Sequence, residues 1–181
     1  MELIFEENTR EEFVRRGAEQ MMAAARTAPK GKGADNLVIA IAGKETIKKI
    51  SEHQKTFAKK NNAAQFFYRD ADNILSADIL FLIGTKYKPA GVSPCGMCGF
   101  KDCPDNEQHP GHPCVINVTD LGIAIGSAVS VASRLHIDNR IMYTVGQTVL
   151  DLKLLGDDVK IAYGIPLSVS SKNPFFDRQT K

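Results

Sequence analysis

Residues 37–42 read LVIAIA and residues 78–83 read DILFLI, two short apolar runs with almost no polar position in either. Runs of this length, rich in branched side chains, are the pattern of strands covered on both faces. The surrounding segments read as helices. Thr9 followed by Glu12 has the form of a capping box. Phe13, Gly17, Met21 and Ala25 then recur at every fourth position, up to Ala28-Pro29. Residues 45–61 read as a basic amphipathic helix with Ile47, Ile50, Phe57 and Ala58 facing inward, and residues 66–68 as a short strand candidate. A long helix rich in Gly, Ala and Ser is expected from Thr119 or Asp120 to His136. Residues 140–145 look strand-like, 149–155 form a helical turn, and 160–163 form a last buried strand. The expected fold is α+β with an α/β-like alternation, a single domain over residues 1–181 whose sheet is covered by helices. Residues 86–117 stand out as an insertion, too long for a routine connection.

Composition narrows the function. Hydrophobic residues make up 43% of the chain and charged residues 24%, which describes a packed core and not a disordered segment. A net charge of only +2 lacks the basic excess of a nucleic-acid binder. The opening MELIFEENTREE is acidic and has no signal-peptide pattern. The longest weakly polar run, residues 121–133, is shorter than the ~20 apolar residues that span a bilayer. The expectations are a cytoplasmic location, no membrane and no nucleic acid. In that reducing compartment cysteines serve metal or redox chemistry more than disulfides.

All four cysteines lie inside the insertion. Cys95, Cys98, Cys103 and Cys114 are separated by two, four and ten residues. Two intervening residues let one tight turn direct both thiolates at one centre. Gly96 and Gly99, each directly after a cysteine, allow the backbone to curl and aim N–H groups at sulfur. Four thiolates suit an iron–sulfur cubane. They also suit a structural zinc ion, for which His109 or His112 offers a replacement ligand. The iron–sulfur cluster (4Fe–4S) is the leading reading and zinc the alternative.

CGMCGFKDC, residues 95–103, resembles the Cys-Gly-x-Cys-Gly-x-x-x-Cys half of four-iron ferredoxin-type domains, which leave a longer gap before their fourth cysteine. AARTAPKGKGADNL (24–37), LGIAIGSAVSVAS (121–133) and GIPLSVSSKNPFFDR (164–178), together with that loop, resemble a prokaryotic family of uncharacterised proteins containing a ferredoxin domain. Ala28-Pro29 leading to the strand at 37–42, the Gly/Ala-rich helix and Gly164-Ile165-Pro166 are also similar to FMN-dependent nitroreductases. That second resemblance implies a nitroreductase-like sheet and an FMN. Two departures bear on the flavin. Arg15-Arg16-Gly17, already inside the first helix, stands for an N-terminal Arg-Arg-Ser segment, and Lys30-Gly31-Lys32-Gly33 replaces a turn asparagine.

Lys30, Gly31, Lys32 and Gly33 read first as a solvated turn, and as the alternative have the composition of an anion cradle for a phosphate or flavin. Arg178 would approach a flavin phosphate if the tail folded back as the nitroreductase resemblance implies. Otherwise Phe175 and Phe176 simply pin the terminus to the core. Lys48, Lys49, Lys55, Lys59 and Lys60 read as the solvated side of their helix or as a docking face for an acidic partner. Ser127 and Ser130 read as small packing residues. The expected protein is a redox carrier, with a zinc-stapled interaction module as the alternative. Its expected partners are a redox protein or a flavin, with a homodimer also open.

Overall fold

The computed structural model describes residues 2–176. Four strands, β1 (Leu37–Ala42), β2 (Ile79–Lys86), β3 (Asp138–Asn139) and β4 (Val159–Ser168), form one sheet in the order β1-β2-β4-β3. Every neighbouring pair is antiparallel. The helices are α1 (Arg10–Thr27), α2 (Lys44–Lys60), α3 (Phe66–Asn73), α4 (Cys103–Glu107), α5 (Val115–Arg134) and α6 (Tyr143–Asp151).

Alternation along the strands divides the core in two. Ile79, Phe81 and Ile83 of β2, with Ile165 and Leu167 of β4, face α1 and α5. Leu80 and Leu82 of β2, with Ala162 of β4, face α2 and α6. Residues 79–83 are therefore buried at every position, and each such side chain removed from water contributes about 1.5–3 kcal/mol. The sheet is antiparallel, yet its central strands read as continuous apolar runs because helices cover both faces.

The helix borders and faces correct several expectations. Thr9 precedes α1, but its hydroxyl donates to the Glu6 carbonyl (3.0 Å), so the capping box does not form. Phe13 is 43% exposed, and the buried stripe is Val14, Ala18, Met21 and Ala25. A strict four-residue repeat drifts around a helix of 3.6 residues per turn, whereas these spacings follow it. Phe57, expected inside, is half-buried. Residues 66–68 are helical. Phe67, Asp70, Ala71 and Ile74 share the buried face at helical spacing, and the polar Asp70 masks that period in the sequence. Helix α5 starts at Val115, several residues before the expected cap. Thr119 lies inside it and bonds the Val115 carbonyl (2.9 Å), and Asp120 reaches a different partner. With a mean hydropathy of 1.6 over a membrane-length window, α5 is long and apolar enough to cross a bilayer, yet 44% of that window is buried, largely against α1. His136 follows the end of α5 in a left-handed conformation (φ 55°). Residues 143–145, expected in a strand, open α6, and β4 extends beyond 160–163 in both directions.

Buried polar groups lock the second core. Asp70 accepts from Arg69 (2.9 Å) and from the Thr144 hydroxyl (2.9 Å), and Arg140 stands 3.6 Å away. Arg140 also donates to the Phe175 carbonyl (2.8 Å), which places the fully buried Phe175 ring under α6. Phe176 is 57% exposed, with the Arg140 guanidinium over its ring. Helix α6 lies directly on β4: a Cβ built on Gly146 would stand 1.8 Å from the Ala162 carbonyl oxygen.

Gly146→Ala therefore forces backbone from backbone and is expected to cost about 3 kcal/mol, read as a lower urea midpoint. Both cores lie outside residues 87–114. Chelated protein is accordingly expected to keep its far-ultraviolet circular dichroism, with new protease cleavage confined to that segment. Global loss of the helix signal would mean that the segment staples the fold.

Candidate metal centre

The cysteine segment hangs between the end of β2 and the start of α5. Tyr87 is the first residue past β2, and Cys114 is the residue before α5. The two ends are tied together by side-chain amides. Asn117 accepts from the Lys88 N–H (3.3 Å), and the Tyr87 hydroxyl donates to the Asn106 amide oxygen (2.9 Å). Asn106, wholly buried, donates in turn to the His112 carbonyl (3.2 Å). One amide thus braces the strand exit, α4 and the approach to Cys114.

The four thiols are free; Cys95, Cys98 and Cys103 are half-buried and Cys114 is buried. Gly96 (φ 90°) and Gly99 (φ 88°) sit in the left-handed region, and the Gly99 N–H closes on the Gly96 carbonyl (2.9 Å) to form the turn that carries Cys98. Cys103 opens α4. Its turn is fixed by the Asp102 carboxylate, which accepts from the Asp105 N–H (2.9 Å), and by the Asp105 carboxylate, which accepts from the Lys101 N–H (3.1 Å). Cys95 and Cys103 line one cavity of about 460 Å³ with Gly91, Lys101 and Asp102. Cys98 and Cys114 both act on Tyr87. Burial pushes its phenol above the ordinary value, and charge on Cys114 and Cys98 adds to the effect. Cys114 lies at the N-terminal end of α5.

The histidines pack with each other and with Phe100. His109 stacks on the Phe100 ring (4.8 Å between centroids), and its Nδ1 stands 3.0 Å from the Asp105 carbonyl; His112 meets the same ring edge-on at 5.4 Å. Among the described residues, no three His, Cys, Asp or Glu side chains converge on a position for one metal ion. Four free thiols on one braced segment are the donor set of a four-iron cluster and equally of a structural zinc ion.

The other expected site residues lie elsewhere. Lys30 Nζ donates to the carbonyls of Arg26 and Ala28 (both 2.7 Å) and of Ala25 (3.3 Å), capping the end of α1. The Gly31 N–H donates to the Asp120 carboxylate, Lys32 Nζ to the Gly91 carbonyl (3.1 Å), and the Gly33 N–H to the Lys30 carbonyl (2.9 Å). Arg178 lies outside the described residues. Ser127 donates to the Ala24 carbonyl (3.0 Å), joining α5 to α1. Sequence reasoning missed Tyr87, Asn106, Asn117 and Asp120. The one signal in the chain is that each is a hydrogen-bonding residue in or beside the cysteine insertion.

Comparison with known proteins places this arrangement in a family. An uncharacterized protein of Archaeoglobus fulgidus is 36% identical, with the alignment covering 99% of each chain. The sequence model of a family described as uncharacterized proteins containing a ferredoxin domain matches residues 110–178, which include Cys114, α5 and β4. The chain belongs to this family. The fold of this ferredoxin-domain protein is that of nitroreductases. A nitroreductase with bound FMN from Desulfitobacterium hafniense superposes with a TM-score of 0.58 at 14% identity, covering 94% of this chain and 81% of the other. A BluB-like flavoprotein from Clostridium difficile gives 0.57 at 17%, covering 92% and 84%. The hypothetical oxidoreductase YcnD of Bacillus subtilis gives 0.56 at 17%, covering 88% of this chain, which spans only 59% of its length. Family and fold together indicate a redox-related role.

The brace generates a prediction. Asn106→Ala leaves the His112 carbonyl without its partner and the Tyr87 hydroxyl with only the longer bonds to the Asn106 and His109 carbonyls (3.2 and 3.4 Å), and is expected to cost about 1–3 kcal/mol in urea unfolding. Limited proteolysis should cut residues 87–114 faster than in wild type; equal rates would remove Asn106 from this role.

Proposed function

We propose that the protein is an electron carrier of the cytoplasm that holds a four-iron cluster on Cys95, Cys98, Cys103 and Cys114. The observation that carries this reading is the placement of all four thiols, free, on one braced segment, with the glycines after Cys95 and Cys98 in left-handed turns. Bound there, the cluster would supply one-electron transfer, with a potential set by hydrogen bonding and solvent exposure.

The residues around the thiols have separate tasks. The left-handed turns at Gly96 and Gly99 curl the backbone directly after Cys95 and Cys98 with no side chain in the way. Burial at the start of α5 keeps Cys114 from solvent. Met97, 73% exposed between Cys95 and Cys98, marks the open side of the segment. A redox protein or a flavin from outside would exchange electrons there, over the shortest path to the thiolates.

Anaerobically purified protein is expected to be brown, with broad absorbance near about 400 nm and about four irons and four sulfides per chain. Cys98→Ser should lose most of that iron, and the other three substitutions should do the same. Colourless protein with about one zinc per chain would overturn the proposal, as would full iron and sulfide in Cys98→Ser.

A further inference from the structure

Lys30-Gly31-Lys32-Gly33 has the donors of an anion cradle, and the chain fills that cradle itself. Both oxygens of the Asp120 carboxylate accept from the Gly31 N–H, at 3.0 and 3.1 Å. Asp120 projects from α5 and is only 8% exposed. The turn and the helix are in close contact: a Cβ built on Gly31 would stand 2.5 Å from Cγ2 of Ile116 and 3.6 Å from an Asp120 oxygen. The ammonium groups that would neutralise a phosphate are turned away, Lys30 to the carbonyls ending α1 and Lys32 to Gly91.

We infer that Asp120 is the resident anion of this turn, that it closes the turn to a flavin phosphate, and that it clasps the first turns of α5 to the α1–β1 connection. A phosphate at the Gly31 N–H would replace a carboxylate already bonded there. Left in place, that carboxylate would face the phosphate across a half-buried site where like charges repel strongly. The nitroreductase fold is thus retained while the position that could take an anion at this turn is occupied from within. The clasp has a second consequence, which rests on the ligand role proposed for Cys114. Asp120 and Ile116 fix the helix end that begins directly after that cysteine, and Lys32 holds the Gly91 carbonyl at the other side of the segment. One turn therefore anchors both the cysteine segment and the helix leading out of it.

The test is made on protein as purified under anaerobic conditions. Equilibrium dialysis and flavin fluorescence with FMN up to about 1 mM should detect no bound flavin. One FMN retained per chain, weakened by Lys30→Ala or Lys32→Ala, would overturn the closure. Amide hydrogen exchange tests the clasp separately. The Gly31 N–H should be protected in wild type and should exchange about tenfold faster in Asp120→Ala, which loses the acceptor. Asp120→Asn keeps an acceptor oxygen and should stay within about threefold of wild type, a control against general unfolding. Gly31 exchange unchanged in Asp120→Ala would overturn the clasp. Neither measurement requires iron to be bound. A zinc-loaded or metal-free protein with a protected Gly31 amide would sink the electron-carrier reading and leave this one standing.

Discussion

The sealing of both faces of β2 and β4 is the constraint from which the rest of the structure follows. Residues 79–83 are all buried, alternate side chains pointing into cores formed with α1 and α5 on one side and with α2 and α6 on the other. A sheet buried on both faces cannot tolerate irregular backbone across either of them, because its unpaired polar groups would be cut off from water. Chain that serves another purpose is driven to the ends of the strands. Residues 87–114 leave from such an end, next to a register shift between Thr85 and Lys86. The segment is free to differ from the fold that carries it.

Freedom at the end of a strand is not enough to hold four thiols. The segment is short of apolar anchors, and its order comes from polar side chains withdrawn from water. Asn106 and Asn117 are buried and bonded to chain on both sides of the segment, while Asp102 and Asp105 hold the turn before α4. Such groups are costly to leave unmatched, so they specify one arrangement more sharply than apolar contact does. Asp120 works in the same way on the turn after α1, and Asp70 between α3 and α6.

The relation to the nitroreductase fold takes a physical form here. Two proteins of known structure whose descriptions name a flavin share the layers and the sheet at 14% and 17% identity. Likeness at that level extends to architecture. The cysteine insertion and the Asp120–Gly31 contact are features of this chain, argued from its own residues. The fold and the chemistry it carries are separable because the cores do not use the cysteines: all four lie outside both clusters of buried residues, and the buried Cys114 stands at the helix entrance.

Periodicity was enough to identify the apolar strands 37–42 and 78–83, the helices α1, α2 and α5, and the concentration of cysteines in one insertion. These are local properties, since the spacing of apolar residues along a segment records which face it buries. Strand direction was not legible, because an antiparallel strand covered on both faces has the same apolar run as a parallel one. Helix α3 was hidden because Asp70 sits where the period requires an apolar residue. The Lys30–Gly33 turn shows its donors in the sequence but not their acceptors. The partner of Gly31 lies 89 residues away, and the Thr144 that satisfies Asp70 lies 74 away. Donors and acceptors are visible in the chain as types. Which of them meet is decided only when layers distant in sequence close on each other, because a hydrogen bond depends on position in space and leaves no period behind.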